Sequence, residues 1–402
     1  MKFIINNQRK ILLICTTGLL LLIGLFYYLK SEHVFTQLFS EPKFEWENQP
    51  KKLSANERKM ASDLSDFFYQ KARNTNFNAS VLVAYHGKVL FSDQFGIFSP
   101  VTKKLLTDSS TFQLASASKP FTATAVLQLF ENGKLNLDDP LQKFFPDLNY
   151  PGITIKTMLC HRSGLPNYIY FMDSLAQLQP DSFFTNAQVV EYMIKHHPPI
   201  SFQPDTHFQY CNTNYALLAA IVAQVSDETF QEYVEENIFK VAHMQHSYIC
   251  NRPEEAVRSN ETRGYKGSRW NLEVFTPYDG VVGDKGVYST AWDMFLFHEA
   301  LNNGILLKKE ILELAYRGNS FEKSGHKNYG FGWRINQVNN NLRLIYHNGW
   351  WKGYNVLFAR NVDDDFVIIV LSNHYNRSVY ELKPILDLLR FGSPADSIDT
   401  EE

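Results

Sequence analysis

Ser116-Ala117-Ser118-Lys119 sets a hydroxyl and an amine three residues apart. On a helix that offset puts both side chains on one face. A serine is a poor nucleophile at neutral pH until a neighbour takes its proton. A lysine partly removed from water can be that neighbour. The chemistry on offer is acyl transfer through a covalent acyl-serine. Standing alone, the four residues read more simply as an N-cap serine with an exposed lysine. The flanks favour the chemistry. Phe112 to Ala115 form a short apolar run, and Pro120 fits a first helical turn, where a missing N–H costs little. Phe121, Ala125, Leu129 and Phe130 recur at helical spacing, and Gly133 marks the stop. Ser116 is therefore expected at a helix start, where free N–H groups favour developing negative charge. Ser118 has Phe121 three residues on and lacks an amine partner.

Two later segments extend the pattern. Tyr210-Cys211-Asn212 follows about ninety residues after the serine, and His347-Asn348-Gly349 lies near the C-terminus. In this order they resemble the serine β-lactamase-related family, in the branch of class C β-lactamases, DD-peptidases and related esterases. The resemblance runs from about Asn78 to about Asn373. It includes the stretch Ile153 to Pro166, Gly286-Val287-Tyr288-Ser289-Thr290 and Tyr329-Gly330-Phe331-Gly332-Trp333.

The resemblance implies roles for particular residues. Ser116 is the nucleophile and Lys119 relays its proton. Tyr210 is the general base and acid, and needs a nearby cation such as Lys119 to serve. Asn212 bonds Lys119 and a substrate amide, while Cys211 turns away and packs. His347 stands where many β-lactamases carry lysine, and is expected to donate to a substrate carboxylate or to Tyr210. Asn348 replaces the usual small hydroxyl residue, which weighs against a β-lactam carboxylate. Gly349 lets substrate approach the strand edge. The backbone N–H groups of Ser116 and Trp350 form the oxyanion hole. Trp350 and Trp351 are candidate pocket walls, and Lys352 is a candidate carboxylate-binding charge. No cofactor and no metal are required. Substrates in view are a small-molecule ester, a D-amino-acid peptide, a β-lactam or a cell-wall peptide. The alternative is an acyl-accepting sensor, or a binding protein that keeps the fold without turnover.

Other chemistry-bearing residues are weaker. Cys160-His161 are adjacent, and adjacent side chains diverge in regular structure. His196-His197 and His243 with His246 lack acidic or cysteine companions, so packing or surface roles are expected. Asp284-Lys285 falls beside a family landmark and is expected to border the cleft; it has no assigned role.

The elements that must position these groups follow from periodicity. Ser54 to Arg73 reads as a helix, with Ser54 and Glu57 as a capping box. Val81 to Tyr85 and Lys88 to Phe91 read as a hairpin. Gly330 to Val338, Leu342 to His347, Tyr354 to Arg360 and Phe366 to Leu371 read as strands. Val379 to Arg390 reads as a closing helix. The pattern is α+β: an antiparallel sheet drawn from both ends of the chain, with an α-rich lobe over about 135–281 between them. The resemblance makes this a β-lactamase/transpeptidase-like fold with a five-stranded sheet.

The 402 residues are 45% hydrophobic and 20% charged with a net charge of −3, an ordinary globular composition. No basic block is present, so nucleic acid is not an expected partner. Four cysteines are too few for a disulfide scaffold and read as free thiols. Lys2, Arg9 and Lys10 precede an uncharged run over 11–29, closed by Lys30. As a helix that run rises about 28 Å, enough to cross a bilayer. No small-residue cleavage site follows it, so an uncleaved transmembrane signal anchor is expected rather than a signal peptide. Residues 1–10 are then cytoplasmic, 30–51 a spacer, 52–391 an extracytoplasmic hydrolase domain and 392–402 an acidic tail. The expected partners are the acyl substrate and the membrane.

Overall fold

Ser54 caps the first described helix, α1 (Ala55–Asn74), by the expected box: its hydroxyl accepts from the Glu57 N–H at 3.3 Å, and its own N–H donates to Glu57 at 2.6 Å. Met60, Leu64 and Phe68 then form the buried stripe of α1. The computed structural model describes residues 52–251, 258–322, 327–339 and 342–390. The expected cytoplasmic segment, anchor and spacer at 1–51, the tail at 392–402 and residue 391 before it lie outside them. No helix among the described residues is long and apolar enough to cross a membrane.

The hairpin β1 (Ala79–Tyr85) and β2 (Lys88–Phe95) lies where the two runs around His86-Gly87 predict it, and β2 runs four residues past the expected Phe91. The chain then reaches the serine segment and α2 (Lys119–Glu131). Every residue of α2 from Lys119 to Leu129 is buried, the polar Thr122, Thr124 and Gln128 included, so burial extends well beyond the apolar stripe read from the sequence. Gly133, with φ 68°, lies just past its end. The insertion supplies α3 (Ile155–Leu159), α4 (Asn186–His196) and α5 (Asn212–Ser226). Its longer helices end by Phe239; from there to residue 281 the described chain carries short strands, turns and one 3₁₀ turn at Pro277–Gly280. After α6 (Ala291–Asn302) come β3 (Lys327–Tyr329), β4 (Arg334–Asn339), β5 (Leu342–Trp351), β6 (Tyr354–Asn361) and β7 (Phe366–Ser372). Helix α7 (Lys383–Leu388) closes the described chain.

The sheet order is β3-β4-β5-β6-β7-β1-β2, and every pairing is antiparallel. Strands from both ends of the chain therefore meet, at β7 and β1. The expected five strands are corrected to seven. The short Lys-Asn-Tyr strand β3 extends one edge, and three mixed residues carry no readable alternation. One face packs α1 and α7 through Val81, Val83, Leu357, Ile368 and Val370. On the other, Phe358 meets Phe297 of α6, which stacks on Phe121 of α2 at 4.0 Å. With both faces covered, β7 is buried at every residue rather than alternating.

Strand β5 runs four residues past the expected His347. Its pairing with β4 stops at Arg334 opposite Tyr346, while its pairing with β6 continues to Trp351. One edge of His347–Trp351 is thus left for the serine segment. Gly349 makes that approach feasible: a Cβ there would fall 2.1 Å from the Leu114 carbonyl. Lys352 and Gly353 turn the β5–β6 hairpin with φ of 46° and 84°, the handedness a two-residue loop needs.

Candidate active site

The serine does not begin the α-helix itself. Ala115–Ser118 form a 3₁₀ turn that leads into α2 at Lys119. Ala115 holds φ at 49°, a conformation costly for a residue with a Cβ. The turn still places serine and lysine together: Lys119 Nζ donates to Ser116 Oγ at 3.1 Å. The same nitrogen donates to Asn212 Oδ1 at 2.9 Å and to the Asp284 carbonyl at 3.0 Å. Lys119 is fully buried, and Ser116 is 6% exposed. The segment carrying Asp284 is tied to this helix twice more. Thr122 donates to the Gly283 carbonyl, and Ser118 Oγ accepts from the Val287 N–H.

Tyr210 lies directly before α5, on extended chain that Asn212 converts to helix. Its ring centre is 4.7 Å from Lys119 Nζ and 5.1 Å from the Arg334 guanidinium carbon. Two cations therefore flank the ring. The landmark loop after α3 holds this segment in place. His161 Nδ1 accepts from the Cys211 N–H at 3.2 Å and faces the Asn214 amide at 3.1 Å. Ser163 bonds Asn214, and Thr213 donates to the Pro166 carbonyl. Cys211 is buried, and its thiol donates to the Leu165 carbonyl, a packing position. Burial first, then the charges of Lys119 and Arg334, hold the His161 ring well below the usual histidine range and so neutral.

The third segment is arranged differently from the expectation. His347 is fully buried; its Nε2 faces the Tyr329 hydroxyl at 3.1 Å and its Nδ1 the Asn348 carbonyl at 2.7 Å. Burial first, then Arg334 and Lys119, push its pKa well below the histidine range. His347, Asn348 and Gly349 are not among the residues that line the cavity at Ser116, whereas Trp350 and Trp351 are. Lys352 is placed in the hairpin turn, with its amine 5.8 Å from the Trp351 ring, and does not line the cavity. Lys285 does. It pairs with Asp284 at 3.3 Å, bonds the Tyr168 hydroxyl and lies 5.1 Å from the Trp351 ring.

The cavity encloses about 730 Å³ between the helical insertion and the end of β5. Ser116, Tyr210 and Asn212 open onto it. A hydroxyl bonded to a buried amine, with a phenol beside both, is suited to moving a proton off serine and on to a leaving group. Sequence reading singled out four of these residues, missed Arg334, and weighed His161 only as a neighbour of Cys160. Arg334 carried no motif; His161 stood in a landmark whose role lies in long-range bonds.

The remaining candidates resolve as packing. Burial pushes the Cys160 thiol up to about 12, and it donates to the Lys156 carbonyl, so it is not poised as a nucleophile. His197 stacks on Tyr150, and His196 lies tilted against Tyr192. His298, Glu299 and Asp365 lie close enough to hold an ion, but Arg360 donates to His298 Nδ1 at 2.9 Å and brings positive charge to the group. Cys160, Cys211 and Cys250 are free thiols.

Known proteins resemble this chain in sequence and fold. Residues 70–389 match the beta-lactamase family model. Penicillin-binding protein 4* of Bacillus subtilis (strain 168) is 30% identical over 359 residues, covering 86% of this chain and 78% of that protein. A solved penicillin-binding protein from Bacillus halodurans superposes with a TM-score of 0.70 at 25% identity, over 82% of this chain and 98% of that one. The D-amino acid amidase of Ochrobactrum anthropi SV3, solved with L-phenylalanine amide, shares the fold with a TM-score of 0.69 at 21% identity, over 83% and 99% of the two chains. Serine turn, tyrosine segment and terminal sheet all fall inside the matched span, and the chain belongs to the beta-lactamase family of serine hydrolases related to penicillin-binding proteins.

Proposed function

We propose that this protein is a serine hydrolase that cleaves an ester or amide through an acyl-enzyme. The observation that carries the reading is the bond from buried Lys119 to Ser116 Oγ, at the floor of a cavity also lined by Tyr210. Ser116 Oγ attacks the carbonyl carbon and forms a C–O bond. Its proton passes into the Lys119–Tyr210 pair. The oxyanion is held by the backbone N–H groups of Ser116 and Trp350. Tyr210 returns the proton to the leaving alcohol or amine as the old bond breaks. Water then attacks the acyl-serine by the same path in reverse, releasing the acid and restoring the hydroxyl. Positive charge from Lys119 and Arg334 beside the Tyr210 ring favours the stage at which its oxygen is negative. The substrate classes in view are a D-amino-acid peptide or amide, a cell-wall peptide and a small ester.

Labelling with a fluorescent phosphonate, followed by a chromogenic ester assay, tests this. Wild type is expected to label at Ser116 and to release many equivalents of product. A single equivalent would make the protein an acyl-accepting sensor, and no labelling would remove the acyl-enzyme.

We also propose that residues 11–29 anchor the hydrolase outside the membrane. The full chain is then expected to stay with membranes through high-salt and carbonate washes. A soluble mature form beginning near Ser31 would count against it.

A further inference from the structure

The charges that line the Ser116 cavity cancel. Among the described residues its charged lining is Asp284 and Lys285. Their side chains are 2% and 4% exposed and stand 3.3 Å apart. Tyr168 completes the group: its hydroxyl donates to Asp284 at 3.0 Å and meets the Lys285 amine. The Trp351 ring also lies over that amine. The lysine is thus committed to a buried partner and turned under an aromatic ring. Lys119 does not line the cavity and spends its donors on Ser116, Asn212 and the Asp284 carbonyl; His347 is buried against Tyr329, Lys352 is in a turn, and Arg334 meets Tyr210 without lining the cavity.

The rest of the wall is largely apolar. Leu165, Ile169, Phe171, Pro198 and Pro199 line it from the helical insertion, and Trp350 from β5. At the mouth, Tyr170 and Trp350 remain 78% and 45% exposed, two aromatic faces for a ligand to cover.

We propose that this site takes acyl donors that are uncharged on both sides of the scissile carbonyl and carry an aromatic or extended aliphatic group. A free carboxylate beside the leaving group would be desolvated against a wall with no uncommitted cation, so it is excluded. This sets the protein apart from enzymes that read a terminal carboxylate, and places neutral esters and amides as its substrates. The inference rests on the serine-hydrolase reading above.

Two substrate series on the full chain decide it. The first is nitrophenyl acetate, butyrate and hexanoate. The second is 3-carboxyphenyl phenylacetate against its methyl ester. Burial of each methylene is expected to raise kcat/KM by roughly fourfold until the wall is filled. The methyl ester is expected to exceed the free acid by at least about tenfold. Asp284→Asn removes the one anionic partner Lys285 has in the cavity lining and should narrow that ratio several-fold; a ratio survives a general loss of activity. A flat acyl series, or a free acid turned over as well as its methyl ester, overturns the inference. Phosphonate labelling separates the two levels. Ser116 labelled with the acid preferred sinks the specificity alone; no labelling and no ester turnover sinks the hydrolase reading and this inference with it.

Discussion

The Asp284 carbonyl accepts a hydrogen bond from Lys119 Nζ at 3.0 Å, across 165 residues of chain. With Ser116 and Asn212, it gives the lysine three acceptors at 2.9 to 3.1 Å. An ammonium has three donors to place, so the amine is fixed in direction as well as in distance.

That fixed amine and Tyr210 serve one proton path. Lys119→Ala and Tyr210→Phe are each expected to lower the acylation rate by at least about a hundredfold. The double variant is expected to lose far less than the product of the two. Stopped-flow acylation of the four proteins makes the comparison. Fully multiplicative losses would mean that the residues act independently.

Ser116→Ala is expected to abolish phosphonate labelling. Ser118→Ala should keep it but destabilise the fold by about 1–3 kcal/mol, because it leaves the buried Val287 N–H without its acceptor. Labelling and urea melts read the two effects separately. Loss of labelling in the Ser118 variant alone would identify the wrong serine.

Arg334 brings the second positive charge to the Tyr210 ring. Arg334→Gln is expected to lower acylation about tenfold, and Arg334→Lys, which keeps the charge, to restore part of it. Equal losses in both variants, with lowered melting temperatures, would assign Arg334 to packing instead.

His347 does not await a carboxylate. Weak or absent nitrocefin turnover is expected of the wild type. His347→Lys is expected to destabilise by about 3 kcal/mol or more rather than create a β-lactamase, since it buries a charge near Lys119 and Arg334. Thermal melts and a nitrocefin assay on both proteins test this. A stable variant with efficient nitrocefin turnover would reverse the reading.

Stability should fall on mild acidification. His161 and His347 are held neutral well below their usual range, and burial lowers His298 to about 4. Near pH 8 these rings are neutral in both folded and unfolded chains and contribute no pH dependence. Below about pH 6.5 the unfolded chain takes up protons that the folded one refuses. Each ring then costs up to about 1.4 kcal/mol per pH unit, and His298 stops contributing near pH 4. Urea midpoints measured from pH 8 to pH 5 should drop below pH 6.5. A flat profile would show that these rings protonate in place.

The sequence by itself determined what one turn or one strand can encode. The offset of Ser116 and Lys119, the box of Ser54 and Glu57, the end of α2 near Gly133 and the His86-Gly87 turn after β1 all depend on residues a few positions apart. Motif order carried the family for the same reason. Tertiary structure alone decided which charges the cavity receives. Lys352 and Lys285 are both lysines beside glycines, yet a left-handed turn at the β5–β6 hairpin removes the first, and the loop bound to α2 brings in the second. His347 became a buried, neutral ring only because β3 delivers Tyr329 to it, and Arg334 reached Tyr210 only because β4 pairs beside β5. Hydrogen bonds within a turn are local and leave a pattern in the sequence. The direction of a side chain and its exposure to water are set by residues a hundred positions away, whose contacts exist only once the sheet has closed.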